Sequence, residues 1–164
     1  MSQTICLEEP GRADEAKALY AEALSFVEQS IGPLQQPPRV AFCSRPECFA
    51  QYANPVFNGY SFGQFMVINQ NGWEPHIVRH EMIHQWQYEQ FGALRVARLW
   101  PRWYVEGMAY TLSEDPRGVL PHPSVQAYRA QFQAWVAAGH DWRAGPYSKP
   151  RVTDADMTLS GAVP

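Results

Sequence analysis

The sequence predicts an α+β fold, a small mixed sheet packed on helices, and three features lead to it. Apolar residues recur at helical spacing from about Arg12 to Ile31 and again from Ser124 to Ala138, each an amphipathic stripe that must bury one side. Two short β-type runs, Arg39 to Cys43 and Ser61 to Asn69, are bounded by proline, glycine and asparagine, the residues that end strands and make turns. After the second run, Pro75 to Phe91 contains no helix breaker, so a long helix follows the sheet-forming segment.

In the first helix Ala16, Leu19, Tyr20, Ala23, Val27 and Ile31 share one face, and Gly32-Pro33 stops it. Gln36-Pro37-Pro38 is a rigid lead into Arg39 to Cys43, after which Ser44 to Pro55 reads as irregular or briefly helical. Asn54-Pro55 and Asn58-Gly59 mark turns. Ser61 to Asn69 reads as one strand, with Phe65 and Val67 on one face and Met66 and Ile68 on the other, closed by an Asn71-Gly72 turn. Pro75 sits where a first helical turn tolerates proline, and Gly92 is the expected C-cap. A short helical piece from Leu94 to Leu99 is interrupted at Pro101, and a further helix runs from Trp103 to Ser113 before Glu114-Asp115-Pro116 ends it. Ser124 is the expected N-cap of the last helix, and Gly139 lies just past its end. Residues 1–144 make one domain, and Gly145 to Pro164, with Pro146 and Pro150, reads as an extended or partly ordered tail.

Composition removes several function classes. The 164 residues are 46% hydrophobic and 18% charged, enough for one domain with its own core and too apolar for a disordered chain. Net charge is -3 with scattered basic residues, which is not the footprint of a nucleic-acid binder. No apolar run approaches the roughly 18 residues of a membrane span. Met1 to Pro10 has neither a basic nor an apolar signal region; the compartment stays unassigned, and trimming from a longer secreted or anchored protein is compatible with this. Cys43 and Cys48 flank a Pro46 turn and would bridge in an oxidising compartment. The expectation is three reduced cysteines, Cys6 included.

One segment carries metal chemistry. His80-Glu81-Met82-Ile83-His84 is the pattern H-E-x-x-H on the breaker-free helix. A separation of four puts both imidazoles on one helix face, about 5–6 Å apart at Cβ, so both reach a single tetrahedral ion. Glu81, on the neighbouring edge of that face, can meet a water beside the ion and take its proton. The string alone turns up in roughly one random chain in a hundred, so it needs a partner. A catalytic zinc takes three protein ligands and keeps one position open. The best third ligand is Glu106, in Trp103-Tyr104-Val105-Glu106-Gly107-Met108-Ala109. Its distance along the chain from His84 lets the first helix end and a second return antiparallel, and Gly107 and Ala109 let the two pack closely. His76, one turn before His80, is a first-turn residue or an outer contact, because a fourth protein ligand would close the open position. The tryptophans, Trp73, Trp86, Trp100 and Trp103 among them, are expected to be core packing around these helices.

H-E-x-x-H followed by W-x-x-E-G-x-A resembles the gluzincin zinc peptidases, a group that includes thermolysin-like enzymes, metallo-aminopeptidases and the short minigluzincins. The likeness covers about Ser61 to Ser113. It implies a zincin-like fold in which an edge strand packs on the active-site helix, with Zn2+ held by His80, His84 and Glu106 and with Glu81 as general base. It also implies a peptide or protein substrate that adds by main-chain pairing along Ser61 to Asn69. A metzincin would continue H-x-x-G-x-x-H from His84, but Gln87 and Gln90 stand at those positions. An aminopeptidase of the group would carry G-x-M-E-N where this chain has Gly63-Gln64-Phe65-Met66-Val67-Ile68-Asn69, which favours another mode of cleavage such as endopeptidase action. The chain also departs from the pattern at Tyr110, which stands where thermolysin-like enzymes place an Asp that orients a zinc-binding His. The oxyanion donor is open among Tyr128, His140 and Tyr147. An alternative reading is a zinc-bound peptide-binding module, catalytically silent or autoinhibited by the Gly145 to Pro164 tail.

Overall fold

The computed structural model describes residues 4–150, so the predicted tail lies outside the described residues from position 151 onward. Strands β1 (Ile5–Leu7), β2 (Arg39–Phe42), β3 (Gly59–Phe62) and β4 (Phe65–Ile68) form one mixed sheet in the order β1-β2-β4-β3. β1 is parallel to β2 and β2 to β4, while β3 runs antiparallel to β4 at the edge. A parallel pair needs a crossover, which helix α1 (Ala13–Ser30) supplies between β1 and β2. Its buried stripe, Ala16, Tyr20, Ala23 and Val27, is the one the spacing predicts.

Strand alternation sorts side chains between two apolar clusters. Val40, Phe42, Met66 and Ile68 face the helices and share the main core with α1 and with α3 (Pro75–Phe91). Ala41 and Val67, with the adjoining Cys43, face the other way, where Phe49 of the short helix α2 (Pro46–Ala50) covers them. Trp73 and Trp86 are buried, and Trp100, Trp103, Trp135 and Trp142 pack against the same main core, so the tryptophans are packing residues as expected.

α3 ends at Gly92, whose φ of 86° suits glycine. Arg95–Leu99 makes a π-type turn, and α4 (Arg102–Leu112) then comes back against α3 and packs on α5 (Pro123–Ala137). Gly107 sits at the α4–α5 contact, where a Cβ would fall 2.3 Å from the Tyr128 carbonyl oxygen. Arg79 ties α3 to both neighbours: Nε donates to Glu22 Oε1 of α1 at 2.9 Å, and Nη1 to Glu114 Oε2, beyond α4, at 3.1 Å. Among the described residues, no helix is long and apolar enough to cross a membrane.

Several expectations are corrected. Ser61 to Asn69 is not one strand: the chain turns at Gly63, whose φ of 55° lies in the left-handed region, and makes the β3–β4 hairpin with Phe62 opposite Phe65. Asn58-Gly59, read as a turn, instead leads into β3. The cap of α5 is His122, whose Nδ1 accepts from the Ser124 amide at 3.2 Å, rather than Ser124. Cys43 and Cys48 are not reduced but joined in a disulfide, because α2 folds back on the end of β2 and brings their Cα atoms to 5.5 Å, within bridging range. Cys6 is free.

Candidate metal centre

Helix spacing puts His80 and His84 one turn apart on α3, and α4 returns with Glu106 facing them. The two imidazole Nε2 atoms lie 3.1 Å apart, and each is 3.6 Å from Glu106 Oε2. An ion with four tetrahedral bonds of about 2.0–2.1 Å holds its donors about 3.3–3.4 Å apart, a spacing that these edges bracket. Both histidines are 7% exposed, and two imidazoles with one carboxylate suit zinc with a position left open. The residues present therefore fit the metal that the resemblance implies.

The charges are complementary. Burial disfavours the ionised form of Glu106, but the neighbouring His84 and His80 outweigh it and hold the carboxyl well below the usual carboxylate range. Burial likewise disfavours a charged His84, yet Glu106 overrides it and the imidazole is pushed up to about 9. In metal-free protein a proton on His84 compensates the carboxylate, and a metal ion must displace it.

Side chains behind the ligands fix their orientation. His84 Nδ1 is 2.8 Å from Oε1 of fully buried Gln87, whose Nε2 donates to the Val105 carbonyl at 3.0 Å. With its nitrogen committed to a carbonyl, the amide can offer His84 only an acceptor, so the imidazole carries a proton on Nδ1 and turns Nε2 to the cluster. Glu106 Oε1 accepts from Arg102 Nη2 at 2.6 Å, which leaves Oε2 toward the imidazoles. Tyr110, one turn beyond Glu106, packs edge-on against His80 with ring centroids 4.4 Å apart. Tyr88, one turn beyond His84, stacks beside that ring. In the sequence Gln87 bears only on the exclusion of the metzincin pattern and Tyr88 carries no motif; the signal for both is that positions 84, 87 and 88 share a helix face.

Glu81 turns to the sheet edge and is 5% exposed. The Ser61 hydroxyl lies 2.8 Å from Glu81 Oε2 and 3.0 Å from its main-chain oxygen. A Cβ at Gly59 would fall 2.6 Å from Glu81 Cγ and 2.7 Å from Oε1, so glycine in β3 is what leaves room for this carboxylate.

Two of the three oxyanion candidates, His140 and Tyr147, are placed away from the cluster, whereas for Tyr128 the backbone position on α5 is what is defined. His140 Nδ1 is 2.6 Å from the Ser148 carbonyl oxygen and its ring stacks on Trp135. Tyr147 is 76% exposed, and Tyr128 lies on α5 behind Gly107. Tyr110 and Tyr88 are the tyrosines whose rings pack on His80 and His84. His76 is a first-turn residue of α3, 3.9 Å from Asp115 Oδ1, and burial lowers its pKa against the pull of Asp115. A second group of metal-ligand types, Glu8 with Cys43 and Cys48, is without free thiols because of the disulfide. A cleft of about 370 Å³ between Arg95–Leu99 and residues 144–147 shares no residue with the cluster.

No family model matches this chain, and no curated protein or solved structure matches it either.

Proposed function

We propose that this chain is a small zinc-dependent peptidase of the gluzincin kind, hydrolysing peptide bonds with Glu81 as general base. The observation that carries the reading is a second carboxylate beside the ligand cluster: Glu81 is buried under the strand edge and held by a serine hydroxyl rather than by a cation. A purely structural metal site has no use for such a group.

His80, His84 and Glu106 would hold the metal, with Gln87 and Arg102 orienting two of them. Zinc, when bound, supplies Lewis acidity, which acidifies water and polarises a carbonyl. Glu81 accepts the proton of the attacking water and returns it to the departing amine. Ser61 fixes the carboxylate through Oε2, so the base needs little reorganisation during the transfer. β3 holds the peptide by main-chain pairing across the face where Glu81 lies. Tyr110, whose ring packs on His80, joins Tyr128 as a side chain to examine for oxyanion donation, while the Tyr88 hydroxyl is committed to the Ser61 carbonyl.

Metal content and a peptide-library digest, run on wild type and on Glu81→Gln, test the reading. Both proteins are expected to bind one zinc per chain, and the variant to lose at least about 10²-fold in turnover. A variant as active as wild type, or a folded wild type that takes up no zinc, overturns it. A zinc-loaded wild type that binds peptides without cutting them indicates the silent binding module.

A further inference from the structure

The outer margin of β3 carries chemistry that the metal centre does not use. β3 closes a two-residue hairpin with Phe62 opposite Phe65, and beyond the strand Asn69 N donates to Asn58 O at 3.0 Å. Residues 58, 60 and 62 therefore turn their main-chain groups toward the β4 side, and those of Gly59 and Ser61 face the open edge. Side chains alternate across the sheet. Ser61 is buried on the helix side against Glu81, while Tyr60 and Phe62 stand on the other face, 42% and 41% exposed. Their rings extend a ladder, with centroids 5.8 Å apart for Tyr60–Phe62, 5.1 Å for Phe62–Phe65 and 5.8 Å for Phe65–Tyr52. α2 covers the outer face over Ala41 and Val67 and leaves this margin bare. From Cys48 to Trp73 the sequence has no Asp, Glu, Lys, Arg or His.

We propose that β3 is a specificity strand, selecting uncharged peptides with two aromatic side chains separated by one residue, which seat on Tyr60 and Phe62 and flank the residue held over Glu81. The occupant rests on the peptidase reading. A peptide added antiparallel to β3 exchanges both main-chain bonds with Ser61, and its residue opposite Ser61 turns toward the helix face. The two neighbours of that residue fall opposite Tyr60 and Phe62 in non-hydrogen-bonded pairs, where Cα atoms approach to about 4.5 Å and side chains are closest. Aromatic pairs are favoured there. A charged side chain would lose water with no opposite charge in this segment to meet it. Tyr88 donates to Ser61 O at 3.1 Å, which holds that edge carbonyl near the ligand helix and leaves its second lone pair to a peptide.

The test titrates zinc-loaded Glu81→Gln protein, which binds without turning over, with fluorescently labelled uncharged heptapeptides. A peptide with phenylalanine at two alternate positions is expected to bind about ten-fold more tightly than its all-alanine counterpart. Moving the two phenylalanines to adjacent positions removes the advantage, as does the double variant Tyr60→Ser/Phe62→Ser in the same background. Zinc content and the unfolding midpoint show that the double variant is folded, since both side chains are on the surface. Equal affinity for the alternate and all-alanine peptides, or an advantage that survives the double variant, overturns the proposal. Digestion of the same peptides by wild type separates the two ideas: preferential binding without cleavage upholds the specificity strand and sinks the peptidase assignment, whereas cleavage indifferent to the aromatic pair does the reverse.

Discussion

Gln87 does two tasks with one amide, and they can be separated. Gln87→Leu leaves His84 Nδ1 and the Val105 carbonyl without their partner. Zinc affinity, measured by chelator competition, should fall by about 10–100-fold. The urea midpoint of metal-free protein should report a loss of about 1–3 kcal/mol for the stranded His84 Nδ1 and the lost α3–α4 bond to Val105. Gln87→Glu keeps an acceptor for His84 but not a donor for Val105, so it should retain more zinc affinity than Gln87→Leu does. At this scale the sequence discloses the residues of the candidate cluster and conceals those packed behind them. His80, Glu81 and His84 form a local string with its own periodicity, whereas the value of Gln87 depends on a carbonyl of α4, and that of Gly59 on a carboxylate of α3.

Elements long enough to repeat their pattern are legible, and short ones are not. α1 and α3 each bury a face over several turns, and α3 also carries its own start and stop at Pro75 and Gly92. β1 has three residues and the β3–β4 hairpin turns on Gly63-Gln64, too little pattern to separate two strands from one. The α4–α5 contact is equally hidden: Gly107, expected to let α4 pack closely on α3, faces Tyr128 and Phe132 of α5 instead. Gly107→Ala measures how close. Alanine would gain about 1 kcal/mol in helix propensity, but its methyl would meet the Tyr128 carbonyl oxygen at 2.3 Å and Phe132 Cβ at 2.7 Å. A net destabilisation of about 1–3 kcal/mol is expected, read as a lower denaturant midpoint at unchanged m value. A variant more stable than wild type would mean that α5 moves away freely.

For the whole molecule, the cluster links stability to pH. The His84 pKa is raised in the fold to about 9, so in metal-free protein its contribution is complete below the unfolded value near 6.5 and is lost as pH rises through about 9. Glu106 is lowered, and its contribution is present above the unfolded value near 4.3 and is lost as pH falls through the depressed one. Thermal unfolding of chelator-treated protein should therefore give its highest midpoint between roughly pH 5 and 6.5 and decline toward pH 9. Zinc affinity should move the other way over the upper range, because the ion displaces the proton on His84. A flat midpoint from pH 6 to 9 would show that His84 and Glu106 are not coupled.

The stretch from Cys48 to Trp73 without a charged side chain gives the β3 edge and the His84–Glu106 cluster different sensitivities. Mobile ions weaken attraction between exposed charges beyond about 8 Å at physiological ionic strength, but contacts among Tyr60, Phe62 and an uncharged chain offer them nothing to screen. Excluded anions such as sulfate strengthen apolar association instead. On the proposed binding mode, ionic strength thus acts weakly or favourably on the strand edge while acidity acts on the His84–Glu106 pair beneath it, so a brine that disperses ionically held complexes would leave a peptide on this edge engaged.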